Sequence, residues 1–124
     1  MLDIGLDGDF DDKYHHMANK PLDFITVSEN KEYLTFSFQD GTNAIFRAVG
    51  DCCSSTWIEH LELPLDVSGK VLLSVEEKDL DTFVEDYETI QIYQTRFVLS
   101  SGETISIEYR NSSNGYYGGW LERV

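Results

Sequence analysis

The sequence predicts an α+β domain: mainly an antiparallel β-sheet of about six strands, with one short helix after the third strand. Three observations carry that expectation. Segments of period-two alternation recur along the chain, Gly-containing turn signals separate several of them, and one Thr-x-x-Glu spacing opens a short apolar stretch. At 124 residues, two independent cores would each be marginal, so a single domain is expected.

Residues 1–20 hold five Asp by position 12 and no sustained period, which reads as an acidic N-terminal arm. Residues 21–124 then form the single β-rich domain. Phe24 to Val27 reads as a short strand. Residues 33–39 alternate Leu34, Phe36 and Phe38 with Thr35 and Ser37, the pattern of a half-buried strand. Asp40-Gly41 signals a hairpin, and residues 44–49 supply its return strand. Thr56 and Glu59 have capping-box spacing, so a helix over about 56–62 is expected, with Trp57, Ile58 and Leu61 inward and Pro64 ending it.

Residues 69–77 read as a strand running into the acidic stretch 76–88, where seven of 13 residues are acids and only Lys78 opposes them. Residues 89–100 are rich in β-branched and aromatic side chains. Their apolar parity shifts between Ile90/Ile92 and Phe97/Leu99, which predicts a bulge or burial of both faces. Residues 104–110 alternate Ile105, Ile107 and Tyr109 with Thr104, Ser106 and Glu108, completing a second hairpin. Residues 111–119 have the composition of a loop, and 120–124 closes the chain as an edge strand.

Charge is the strongest compositional fact. The chain has 23 acidic residues against nine Lys plus Arg, a net charge of −14 and a pI near 4.3. Such a surface repels nucleic acid and anionic membrane, which excludes direct binding to either through a basic patch, and it attracts a basic protein. There is no run of 18 apolar residues, and the first residues, Met-Leu-Asp followed by further acids, lack the form of a secretory signal. A soluble cytoplasmic protein with its two cysteines as thiols is therefore expected.

Several segments carry candidate chemistry. Asp51, Cys52, Cys53 and His60 lie within one short stretch, but adjacent cysteines in an extended chain point to opposite faces, unlike the Cys-x-x-Cys of a zinc knuckle. A Cys–His nucleophile is disfavoured by Asp51 and Glu59, which raise rather than lower a thiol pKa. The favoured reading is a turn, with one cysteine packed beside Trp57. Asp7, Asp9 and Asp11 have the spacing of a calcium loop, yet Asp12 stands where glycine is needed and Ala18 where a bidentate glutamate belongs. Residues 110–120 lack the ending of a phosphate loop but offer Tyr116, Tyr117 and Trp120 as amphipathic contact area.

The segments GDCCSSTWIEH and YRNSSNGYYGGWLE together resemble an uncharacterised family of small proteins encoded by bacteriophages and bacteria. The likeness spans roughly residues 24–124. It brings no activity, cofactor or catalytic residue, but phage origin implies, by analogy, a small acidic protein that occupies basic surfaces of host machinery.

The leading expectation is a non-enzymatic binding protein that engages a basic host protein and inhibits a nucleic-acid-directed defence enzyme by charge mimicry. Glu76, Glu77, Asp79, Asp81, Glu85, Asp86 and Glu88 would meet the basic groove, and Tyr116, Tyr117 and Trp120 would add buried contact. No cofactor is expected. The alternative is a metal- or small-ligand-binding domain, or an enzyme, with Asp51, Cys52, Cys53, His60, Asn111 and Asn114 converging on one site.

Overall fold

A computed structural model describes residues 12–51, 53–114 and 118–124. Eight strands follow a single helical turn: α1 (Asp12–His15), β1 (Leu22–Val27), β2 (Tyr33–Phe38), β3 (Asn43–Gly50), β4 (Ser55–Glu62), β5 (Leu72–Glu85), β6 (Glu88–Leu99), β7 (Thr104–Ser113) and β8 (Gly119–Arg123). They form two four-stranded antiparallel sheets, ordered β1-β2-β3-β8 and β4-β7-β6-β5.

The α+β expectation is therefore corrected to an all-β fold. The helix expected over 56–62 is β4, an edge strand whose Thr56, Trp57 and Ile58 pair with Asn111, Arg110 and Tyr109 of β7. Three consecutive β-branched or aromatic residues suit a pleated surface better than a helix. Glu59 does not close a capping box. It accepts a hydrogen bond from Trp57 Nε1 at 2.9 Å.

The sheets pack face to face. Leu34, Phe36, Phe38, Ala44, Phe46 and Leu121 point inward from the first sheet, and Ile58, Val75, Phe97, Leu99, Ile105 and Ile107 from the second. Phe36 meets Phe97 across the interface with ring centroids 5.0 Å apart in an edge arrangement. Tyr14, fully buried, touches both sheets at once, 5.2 Å from Phe46 and 5.4 Å from Phe97. With Met17 also at 0% exposure, the chain just before β1 seals one end of the core. A single parallel bridge, Ala18 to Leu72, ties it to the base of β5.

The hairpin at Asp40-Gly41 is present: Thr42 N donates to Asp40 Oδ1 at 2.9 Å, and Gly41 takes a φ of 87°. In 89–100 the parity shift reflects burial on both faces of β6, because its pairing with β7 runs without irregularity from Thr89 to Val98. Phe97 and Leu99 face the core, while Ile90, of opposite parity, is buried on the outer face. The irregularity instead falls in β5, between Asp79 and Asp81. β7 extends through Ser113, further than the loop composition of 111–119 indicates. Among the described residues no helix is long and apolar enough to cross a membrane.

Candidate functional site

The acidic stretch is a strand and its turn. β5 and β6 form a long hairpin closed by Asp86 and Tyr87, opposite the pair Glu85 and Glu88. Both turn residues have positive φ, 49° and 69°. A two-residue hairpin turn of this kind favours Asn-Gly, because left-handed backbone is costly for residues with a Cβ. Tyr87 is wholly exposed at the apex and Val84 beside it is 73% exposed.

β5 is an edge strand, and its residues from Glu76 to Asp81 are all exposed. The pairing places Glu77 and Asp79 on the parity of Phe97, toward the first sheet, and Glu76, Asp81 and Glu85 on the outer face. Glu76 is partly neutralised by Arg96, 3.8 Å away. On the inner side, burial raises the pKa of the Tyr109 hydroxyl, with Glu77, Tyr93 and Asp79 adding to the effect. That phenol therefore stays neutral across the physiological range.

The outer face of the second sheet holds a groove of about 730 Å³. Its rows follow the strand register: Ser55, Ser112, Ile90 and Phe83 run side by side across four strands. Trp57 and Arg110 wall one side, while Phe83, Glu85, Asp86 and Glu88 wall the hairpin side, with Cys53 and Ser54 at the turn before β4. Ser112 Oγ donates to Glu88 Oε2 at 2.5 Å. Arg110 is already engaged: Nε and Nη2 lie 3.0 and 2.9 Å from Glu108, and Glu59 is 4.0 Å away. Among the described residues neither Glu85 nor Asp86 has an ion pair.

The two sequence motifs do meet, at a packing junction. Gly50 of β3 pairs with Gly119 of β8, and Thr56 of β4 with Asn111 of β7. The first pair lies against the second. A Cβ on Gly50 would stand 2.6 Å from Thr56 Oγ1 and 2.8 Å from Asn111 Nδ2, and one on Gly119 would stand 2.5 Å from Thr56 Oγ1. Only glycine permits this approach. Asn111 is fully buried and donates through Nδ2 to Thr56 Oγ1 at 2.8 Å. Asp51 N–H donates to the Gly118 carbonyl at 3.2 Å, and the Tyr93 hydroxyl accepts from Gly119 N–H at 3.4 Å.

The expected site residues divide accordingly. Glu85, Asp86 and Glu88 share the groove with Cys53, whereas Glu76, Glu77, Asp79 and Asp81 continue along β5. Trp120 lies on β8, in the other sheet, so it does not join the acidic hairpin. Cys52, Tyr116 and Tyr117, like the Asp7, Asp9 and Asp11 segment, lie outside the described residues.

Cys53 is exposed, not packed as a small hydrophobe, and holds a φ of 69° in a turn where Ser54 N and Oγ both donate to the Asp51 carbonyl at 3.2 and 2.7 Å. His60 is exposed on β4 beside Glu62, about 17 Å along the strand from Ser55 at ~3.3 Å per residue. It does not converge with Asp51, Asn111 or the exposed Asn114. Among the described residues no three His, Cys, Asp or Glu side chains gather to hold a metal. Sequence reasoning missed Ser54, Ser55, Trp57, Phe83, Ile90, Arg110 and Ser112: Trp57, expected inward on a helix, lies on the outer face beside Arg110, and the outward parity of Ile90 was a usable signal.

Two antiparallel four-stranded sheets, with an acid-rimmed groove on one outer face, define the class: an all-β sandwich domain. The chain belongs to the family described as a domain of unknown function, DUF7448, whose model matches residues 15–121. It is also similar to an uncharacterized protein of Acanthamoeba polyphaga mimivirus, 31% identical over 105 residues, covering 79% of this chain and 82% of the relative. No solved structure matches the chain.

Proposed function

We propose that this protein is a non-enzymatic binding module that engages a basic protein of an infected host through the β5–β6 hairpin. The observation that carries the reading is the placement of seven carboxylates on one hairpin: Glu76, Glu77, Asp79, Asp81 and Glu85 on the exposed edge strand β5, Asp86 in the turn and Glu88 at the start of β6. Pairing of β5 with β6 sets these charges on a strand ladder, which reduces what binding has to order. Field complementarity sets the association rate, and Tyr87 and Val84 at the apex supply apolar contact. Supporting context comes from the viral relative. A basic groove that ordinarily holds phosphates is the natural target, which makes a nucleic-acid-directed defence enzyme in the host cytoplasm the partner class. The action is inhibition by charge mimicry.

Affinity capture from host lysate with a salt-gradient elution tests this. One basic, nucleic-acid-binding protein should come down and be lost when Glu76, Glu77, Asp79 and Asp81 are changed to Gln or Asn. Recovery that ignores those substitutions sinks the reading.

A small-ligand site is the second reading, favoured by the presence of Cys53, Ser54, Ser55 and Ser112 in one groove. It predicts that Cys53→Ser abolishes binding at any salt, whereas the charge reading predicts survival of Cys53→Ser and steep weakening with salt.

A further inference from the structure

We infer that the groove on the outer face of the second sheet seats an arginine side chain of the basic partner, stacked on Trp57 and held by Glu85, Asp86 and Glu88. This rests on the reading that the partner is basic, and it names the contact through which the partner is anchored.

Shape, charge and chemistry each bear on the occupant. The floor is low where Ser55 and Ser112 lie side by side, between Trp57 on β4 and Phe83 on β5. A long, thin side chain fits such a trough. Its methylenes would lie on Ile90 and Phe83, which line the hairpin side.

The charge is asymmetric. Arg110, the cation in the groove, is matched by Glu108 and Glu59. Among the described residues, the three carboxylates at the hairpin end have one side-chain partner, the Ser112 hydroxyl on Glu88. An anionic ligand would meet their uncompensated field, and a cation completes it.

Guanidinium suits the site better than ammonium. The Trp57 indole N–H is occupied by Glu59, so the ring offers a ligand its π surface and not its donor. A planar, weakly hydrated guanidinium stacks on an aromatic ring and forks its N–H groups toward carboxylates, whereas an ammonium is a strongly hydrated point charge.

The test uses the full chain, titrated at low salt with hexa-arginine and, separately, hexa-lysine peptides. Binding is followed by NMR at the backbone amides and at the indole N–H signals of Trp57 and Trp120. Hexa-arginine should bind about fivefold more tightly than hexa-lysine, a factor corresponding to one cation–π contact. It should shift the Trp57 signal and leave that of Trp120 in place. Trp57→Leu should erase the preference for arginine, and Glu88→Gln should weaken hexa-arginine more than hexa-lysine. Asp79→Asn, on β5 but outside the groove, should weaken both peptides equally.

Equal affinity for the two peptides, with shifts spread along β5 and indifferent to Trp57→Leu, overturns the groove inference while leaving the basic-partner reading standing. Absence of binding by either peptide overturns both. Should Trp57→Leu fail to fold, the arginine preference of the natural chain and its response to Glu88→Gln decide the matter.

Discussion

Replacing Gly119 by alanine tests whether the two glycine-containing motifs are a packing junction. The added Cβ would stand 2.5 Å from Thr56 Oγ1, 2.8 Å from Thr56 Cγ2 and 3.1 Å from Asn111 Cβ. None of these atoms is the loose end of a long side chain. Thr56 and Asn111 face each other in a β-ladder, and the Asn111 amide is fixed on Thr56 by a 2.8 Å hydrogen bond. β8 must therefore move away from β4 and β7, disturbing the first sheet where Gly119 pairs with Gly50.

Overpacking of this kind costs ~1–3 kcal/mol, and fixed neighbours on two strands place the expected loss at about 2–3 kcal/mol. At about 4 °C per kcal/mol for a domain of this size, Tm should fall by about 8–12 °C in a thermal melt followed by circular dichroism. Thr56→Ala alone removes a hydrogen-bond acceptor from a buried amide and should cost ~1–3 kcal/mol. Combined with Gly119→Ala it should cost at least about 1 kcal/mol less than the sum, because it also removes the two closest atoms. A Gly119→Ala variant within about 0.5 kcal/mol of the natural protein, or strict additivity in the double variant, refutes the junction.

Three further outcomes follow from other parts of the molecule. Tyr87→Gly should raise stability by about 1 kcal/mol in urea melts, because glycine takes the left-handed φ at the hairpin apex without the steric cost, and a loss of stability would contradict the turn geometry. Phe97→Ala should cost about 3–5 kcal/mol, since Phe97 is fully buried between Phe36 and Tyr14; a cost near 1 kcal/mol would mean that the sheets do not meet there. His16 packs on Phe46 and has both ring nitrogens buried, and desolvation, then Arg123 and Lys20, lowers its pKa. The unfolded state therefore binds the proton more readily, and stability drains away as pH falls from above the ordinary histidine value through the lowered one. The stability difference between the natural chain and His16→Gln should shrink as pH falls from above the ordinary histidine value, and a pH-independent difference rules out this role.

How legible the fold was depends on where each segment's deciding information lies. β2 and β7 could be read from alternation because one face of each is buried residue by residue. β4 could not. Thr56 and Glu59 offer a credible local helix start, and what overrides it is pairing with Asn111 and Arg110, about fifty residues away. The start of β5 was legible within residues 69–77, but its continuation hid behind its own charge, because a strand segment exposed on both faces shows no hydrophobic period. Its turn was equally hidden, since Asp-Tyr is not an Asn-Gly signal. Tyr14 and Met17 are too few to set a period, yet both enter the core. The groove was only half visible. Its acids stood out in composition, but Ser55, Ser112 and Ile90 become neighbours only once the register of three strands is known.

The open side of β5 has a consequence for how this protein behaves in bulk solution. Beyond the bridge at Leu72, the 14-residue strand has no strand neighbour on that side among the described residues, and its carboxylates are what keep another molecule from adding itself there. Amide substitutions along 76–85 remove that charge and turn the strand into a growth surface for intermolecular sheets, so each such variant belongs in a sedimentation experiment before it enters a binding assay. The charge proposed to recruit a partner is also the charge that keeps copies of the protein apart.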